Sequence, residues 1–194
     1  MEWVAPSGLE GGRVIDATHL FAGTDSAGRE IGVLHHAWYE AIEWLDETEP
    51  TDDELRAIAE RLPYARPDLA EQVARFRAAL RVPAIRARLS RTHYAQPLRV
   101  ERERPFAVRA GSQIVNGRID RLVWSRAEDG TQAIELIDFK TDAIRLEAVP
   151  ARVLTYRPQI EAYLRAVAAF AKLPLSRVSA ALLFTTVGCV EPII

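Results

Sequence analysis

The feature that most constrains this chain is a change of hydrophobic period near Gln96. Before it, apolar residues recur every three or four positions. After it they alternate. Ile31, Leu34, Trp38, Ile42 and Leu45 follow the spacing of one helical face, so a helix is expected over about 30–47. Thr51-Asp52-Asp53-Glu54 has the form of an N-cap with acids in the first turn. A second helix should therefore run to about Leu62. Pro63 and Pro67 punctuate, and helices fit 67–80 and 83–89. Residues 1–28, with Pro6 and glycines at 8, 11, 12, 23 and 28, read as a loop-like entry segment.

From Gln96 onward, Leu98, Val100, Phe106 and Val108 share one parity, with Arg99, Glu101 and Glu103 on the other, as in a half-buried strand. Ala110-Gly111-Ser112 reads as a tight turn, 113–124 as a second strand, and Glu128-Asp129-Gly130 as the next turn. A third strand, Gln132–Lys140, completes a meander. A helix fits Pro158–Lys172 with proline in its first turn. Val178–Val187 is an almost unbroken apolar run, the mark of a strand covered on both faces. The expectation is an α+β (mixed α/β) domain: an N-terminal helical region, a three-strand antiparallel meander, a helix and a buried strand.

The 194 residues suffice for one core-bearing domain. No apolar run approaches a membrane span, and the N-terminus lacks the basic-then-apolar order of a secretory signal, so a cytoplasmic location is expected and no membrane partner. Cys189 is the one cysteine, which rules out an internal disulfide or a cysteine-held cluster and reads as a small buried hydrophobe. Charge is unevenly spread. Residues 1–60 hold 14 acids against 3 arginines, whereas 75–109 hold 10 arginines against Glu101 and Glu103. That basic segment suits phosphate binding, or it pairs with the acidic N-terminal part; charge counting does not choose between the two.

The chemistry concentrates in 117–163. Asp138 and Lys140 are two apart on a strand and leave the same face. Asp120 lies on the preceding strand, about 4.8 Å away, so two carboxylates and an ammonium can converge. Carboxylates that close need a cation, and oxygen ligands suit Mg2+ or Mn2+. Gln159 and Tyr163 are four apart on the following helix and share a face. If that face overlies the strand ends, both can bond DNA or the catalytic groups.

The ordered set Gly117-Arg118-Ile119-Asp120, Ile137-Asp138-Phe139-Lys140-Thr141 and Gln159-Ile160-Glu161-Ala162-Tyr163 resembles the PD-(D/E)xK nuclease superfamily, and within it the RecB/AddA-type nuclease domains of bacterial helicase–nucleases. Glu103-Arg104-Pro105-Phe106 is similar to that family's E-x-P-F strand. Gly32-Val33-Leu34-His35-His36-Ala37 is similar to its G-x-x-x-H helix, and Pro6–Gly12 to its lead-in segment. The resemblance implies a restriction-endonuclease-like core over 29–194, with a helical part at 29–92, a sheet and active-site part at 95–194, and 1–28 as the entry segment. It implies metal ligation by Asp120, Asp138, the Phe139 carbonyl and a histidine, with Lys140 assisting the attacking water and Gln159 and Tyr163 shaping the site. A helical wheel favours His35 as the ligand. The four-residue offset from Gly32, followed by Ala37, favours His36, which we adopt. His19 and His93 have no such context.

The implied reaction is in-line hydrolysis of DNA phosphodiesters, with metal and Lys140 neutralising developing charge. The chain has no G-x-x-x-x-G-K-[ST] loop and so is not itself an ATP-driven motor; the resemblance to helicase–nucleases implies that an ATP-dependent helicase motor lies elsewhere in the same chain or in a partner subunit. A catalytically silent DNA-binding module of the same fold is the competing reading, but it would be expected to lose Asp120, Asp138 or Lys140. CRISPR-adaptation nucleases of related type usually carry a cysteine cluster, absent here.

Overall fold

The sheet is the platform on which every candidate side chain is mounted. The computed structural model describes residues 3–4, 26–64, 68–110, 113–127 and 129–193. The lead-in segment 6–12, His19, Pro67, Glu128 and the turn residues Gly111 and Ser112 lie outside them. Strand β1 (Trp3–Val4) is followed by α1 (Ser26–Ala41), α2 (Asp52–Glu60), α3 (Leu69–Arg81) and α4 (Pro83–Leu89). Then come β2 (Gln96–Ala110), β3 (Gln113–Arg126), β4 (Gln132–Lys140), α5 (Val149–Ala171), β5 (Val178–Phe184) and β6 (Cys189–Ile193). β2, β3 and β4 form the antiparallel meander; β5 joins β4 in parallel and β6 closes the far edge antiparallel. β1 pairs in parallel with β3 at Ile114 and Val115, completing a six-stranded mixed sheet.

Alternation along the strands sorts the core into two layers. Ile134, Leu136, Leu182 and Phe184 pack with Ile160, Leu164 and Val167 of α5 on one face. Ile137, Phe139, Ala181 and Leu183 pack with Leu34, Trp38, Phe76 and Leu89 of the N-terminal helices on the other. β5 is thus covered on both faces, as its apolar run requires. Each large side chain so buried contributes about 1.5–3 kcal/mol of transfer free energy. The meander, the helix and the covered strand have the order and mixed pairing of the α+β core expected from the sequence.

Local chemistry explains where elements begin and stop. α2 opens with a capping box: Glu54 N–H donates to Thr51 Oγ1, and Thr51 N–H donates to the Glu54 carboxylate at 2.7 Å. α4 begins on Pro83, whose missing N–H costs nothing there. α1 ends at Ala41 rather than near 47, because the Ile42 and Glu43 carbonyls accept from the Arg121 guanidinium at 2.8 and 2.6 Å instead of from the next turn. Its first turn, at 26–28, and β1 fall within the segment expected to be loop-like.

Two further expectations need correction. α5 begins at Val149, nine residues before Pro158; Pro150 fills the first turn and Pro158 sits inside. A proline there leaves only the Leu154 carbonyl without its helical donor, on a turn whose side chain is 69% exposed. The apolar run ends as a strand at Phe184, and Gly188, at φ +66°, turns the chain back into β6. Pro192 of β6 is tolerated because that strand lies at the sheet edge. On β2, the register shifts between Pro97 and Arg99, and Leu98 is left 45% exposed.

Candidate metal centre

The site opens where two strands stop pairing. The β3–β4 ladder ends at Arg121 opposite Ile137. One step further, Asp120 and Asp138 would be the next pair, and here a carboxylate replaces the ladder. Asp120 Oδ2 accepts the Phe139 N–H at 2.8 Å. In an extended strand a residue's N–H and C=O point to the same edge, so the Phe139 carbonyl also faces this notch.

α1 supplies a histidine to the same notch. His36 Nδ1 lies 3.6 Å from Asp120 Oδ1, and its ring packs edge-on to Phe139, centroids 6.2 Å apart. Two contacts set this approach. A Cβ on Gly32 would stand 3.3 Å from Thr141 Oγ1, so glycine lets α1 settle close to the end of β4, and His36 follows one turn later on the same side. Arg121, 1% exposed, ties the C-terminal end of α1 to β3 through its two carbonyl bonds and lies 5.4 Å from the Trp44 ring centroid. His35 points elsewhere. It is buried against Trp38 and Phe76, with Nε2 3.3 Å from Gln72 Oε1. The structure therefore brings His36, and not His35, to Asp120.

On the α5 face, Lys140 Nζ lies 2.9 Å from Asp138 Oδ2, 3.3 Å from Gln159 Oε1 and 3.8 Å from the Tyr156 ring centroid. Its approach to Asp138 is too oblique for a hydrogen bond, and Asp138 Oδ2 has no hydrogen-bond partner although the residue is 4% exposed. Gln159 donates to the Tyr163 hydroxyl at 3.0 Å, and Tyr163 packs edge-on to Phe106. Gln159 and Tyr163 are both buried, so they hold Lys140 in place rather than face open surface.

Sequence reasoning missed three contributors. Tyr156 lies beneath Lys140 and donates its hydroxyl to Asp142 Oδ2 at 2.7 Å; its spacing, three before Gln159 and seven before Tyr163, was the available signal. Arg121 anchors α1. Glu103, on β2, brings a carboxylate to within 4.8 Å of the ligand atoms of His36 and Asp120, each of the three from a different element. The flanking pairs Arg102–Arg121 and Arg104–Ile119 set Glu103 opposite Asp120.

Crowding shows in the acidities. Burial pushes the Asp120 carboxyl well above the usual carboxylate range, helped by the charge of Asp138 and opposed by the Phe139 N–H and Lys140. Burial and the charge of Asp120 lift Glu103 to about 7. Burial lowers His36, against the pull of Asp138 and Glu103, so its imidazole is neutral and available as a ligand. One imidazole nitrogen with several carboxylate oxygens and a carbonyl is a donor set that suits Mn2+ or Mg2+.

The arginine-rich segment is engaged with acids. Arg77 reaches Glu49 and Asp52 at 3.0 and 2.8 Å, Arg86 reaches Glu49 at 3.1 Å, and Arg91 reaches Glu47 at 3.1 Å. Arg88 reaches Glu135 at 2.6 Å, and Arg99 and Arg104 share Glu101. Cys189 is half-buried with Sγ 3.2 Å from Glu191 Oε1, and His93 lies 2.9 Å from Arg88 Nη1, both away from the notch.

Comparison with protein families agrees with this geometry. The model described as the PD-(D/E)XK nuclease superfamily matches residues 13–191. Among curated proteins none matches. Among the described residues, no helix is long and apolar enough to cross a membrane.

Proposed function

The chain belongs to the PD-(D/E)XK nuclease superfamily, whose members are metal-dependent nucleases, and on that premise we propose that it is a deoxyribonuclease, a hydrolase of phosphodiester bonds. The observation that carries this reading is the notch itself. Asp120 and Asp138 stand where the β3–β4 ladder ends, with His36 3.6 Å from Asp120 and Lys140 2.9 Å from Asp138. His36, Asp120, Asp138 and the Phe139 carbonyl are the groups we assign to a divalent cation, Mg2+ or Mn2+. When bound, that cation would neutralise charge on the scissile phosphate and make water a better nucleophile.

The chain's own groups do the rest. Lys140 supplies positive charge beside the phosphate and orients the attacking water. Gln159 fixes the ammonium from one side and Tyr156 from another, with Tyr163 holding Gln159. Gln159 and Tyr163 are thus positioning residues in this reading.

The finer assignment is to the RecB/AddA type, in which residues 29–194 form the nuclease unit, 1–28 lead into it, and DNA is delivered by an ATP-dependent helicase motor in the same chain or a partner. Gly32 and His36 support it, since the close approach at Gly32 accounts physically for the G-x-x-x-H spacing. An exonuclease serving recombination and double-strand-break repair is the corresponding role.

The test is cleavage of end-labelled single- and double-stranded DNA with Mg2+, Mn2+ or EDTA, by the intact chain and by Asp138→Ala. Metal-dependent cleavage lost in the variant supports the assignment. Cleavage retained by the variant, or unaffected by EDTA, overturns it.

A further inference from the structure

We propose that Arg152 binds a phosphate of the DNA backbone about two nucleotides from the scissile one, and so seats the strand over Lys140. The inference rests on the nuclease reading above and adds to it a residue outside the metal centre.

Three observations carry it. The first is direction. Tyr156 places its ring 3.8 Å from Lys140 Nζ, and Gln159, on the same side of α5, accepts from that ammonium at 3.3 Å. Arg152 precedes Tyr156 by four residues, so its side chain leaves the helix on the same side, one turn further out. That turn is an axial rise of about 6 Å, or about two nucleotides along one strand at ~3.4 Å each. The second is exposure. β4 ends at Lys140, and α5 returns from beyond that end to reach the parallel β5, so its first turns pass the edge of the sheet. Arg152 is exposed there, while Val149 and Tyr156 on either side of it are buried. The third is charge. Among the described residues no carboxylate pairs with Arg152, whereas Arg77, Arg86, Arg88 and Arg91 are each held by acids. The Asp142 carboxylate accepts the Tyr156 hydroxyl at 2.7 Å instead. A guanidinium that is always charged, exposed, uncommitted and one turn from the reaction centre can take a phosphate bidentately without first breaking a pair.

The same helix supplies the control. Arg157 is exposed and equally without an acid among the described residues, but it follows Tyr156 by one residue. It leaves α5 about 140° away from Arg152. If both arginines only keep the surface solvated, their substitutions act alike. If Arg152 holds the backbone, its loss alone is felt.

The experiment compares the intact chain with Arg152→Gln, Arg152→Lys and Arg157→Gln in two assays. Affinity for duplex DNA is followed against salt, with Asp138→Ala as background to prevent cleavage. Steady-state cleavage of the same end-labelled duplex is followed with Mn2+ in the otherwise unsubstituted chain. We expect Arg152→Gln to lower the slope of log affinity against log salt by about 0.9. It should raise KM about tenfold and leave kcat within about threefold, as for a contact made equally in ground and transition states. Lysine keeps the charge, so Arg152→Lys should restore the slope and most of KM. Arg157→Gln should match the wild type in both assays, and Tm should be unchanged in all three variants. Equal behaviour of Arg152→Gln and Arg157→Gln, in slope and in KM, overturns the role of Arg152 and leaves the nuclease reading standing. The expected loss of slope without metal-dependent cleavage by the wild type overturns the nuclease reading and leaves the Arg152 contact standing. Absence of DNA binding in the unsubstituted background overturns both.

Discussion

Two parts of the molecule are crowded with charge and treat it in opposite ways. Over the N-terminal helices, glutamates and aspartates at 47, 49 and 52 each meet an arginine, and Arg77 and Arg86 converge on the same Glu49. At the notch, Glu103 and Asp120 gather with His36, Asp138 stands against Lys140, and the exposed Arg118 reaches Glu103 at 3.6 Å. The first arrangement is neutral locally and lies mostly at the surface, where each pair contributes about 0–1 kcal/mol. The second is half to fully buried, and its repulsion is relieved only by protons or a cation. Charge density therefore does not mark a site by itself. Charge left uncompensated by the fold does.

The sharpest way to break this comparison is to remove one acid from each region. Asp120→Asn or Asp138→Ala should reduce DNA cleavage by about 10³-fold or more, in line with removal of a group acting on the developing charge. Glu49→Gln, which unpairs two arginines, should leave initial rates within about twofold. Comparable decreases in both regions would remove the distinction.

The next effect is mechanical and links the two regions. Arg121 is the cation that β3 lends to the helical side, as the tie between the end of α1 and the sheet. Burial brings its pKa down to about 10, yet it stays charged at neutral pH. Arg121→Met fills much of the volume but leaves the Ile42 and Glu43 carbonyls without their donor. We expect a loss of about 2–3 kcal/mol in urea unfolding, accompanied by weaker Mn2+ binding because His36 rides on the same helix. A stable variant with wild-type Mn2+ affinity would show that α1 is held over the notch by packing alone.

How much of this was legible in the sequence follows from the same contrast. β4, α4 and the start of the covered β5 could be read to the residue, since their apolar patterns report burial directly, whereas the end of β5 was read three residues too far. Asp120, Asp138 and Lys140 could be placed together from strand parity. Arg121 and Glu103 could not. Alternation assigns a charged residue to the solvent face, and both are turned inward: one to cap a helix end 78 residues away in sequence, the other on a left-handed backbone. The start of α5 was hidden by Pro158, because a proline reads as a boundary unless the freed carbonyl is known to be exposed. β1 and β6 are too short to carry a period, and Pro192 argues against a strand until its edge position is seen.

A pH experiment sharpens the comparison more gently. Glu103 in the folded protein holds its proton to about pH 7, whereas in the unfolded chain a glutamate releases it near 4.3. The folded state binds the proton more tightly, so the contribution of this group to stability is fully present below about pH 4 and is lost as pH rises towards and through 7. Glutamine mimics the protonated form. The Tm of metal-free Glu103→Gln should match the wild type near pH 4 and exceed it at pH 8. A difference that does not change with pH would mean that Glu103 is already compensated, and the notch would then resemble the helical surface.

The smallest effect concerns DNA. If arginines 86 and 91 are committed to Glu49 and Glu47, they contribute few phosphate contacts. Removing one arginine–phosphate pair should lower the slope of log affinity against log salt by about 0.9 on duplex DNA. Measured with catalytically inactive Asp138→Ala as background, to prevent cleavage, Arg86→Ala with Arg91→Ala should therefore leave the slope nearly unchanged and cost less than about 1 kcal/mol in stability. A slope lower by nearly two units would mean that these arginines exchange their carboxylates for phosphates when DNA arrives. Exposed pairs are weak enough to permit that exchange, since their Coulombic gain in water is small and screened. In that outcome the acids of the N-terminal part would act as internal competitors of DNA, and the two charged regions would differ in depth rather than in purpose.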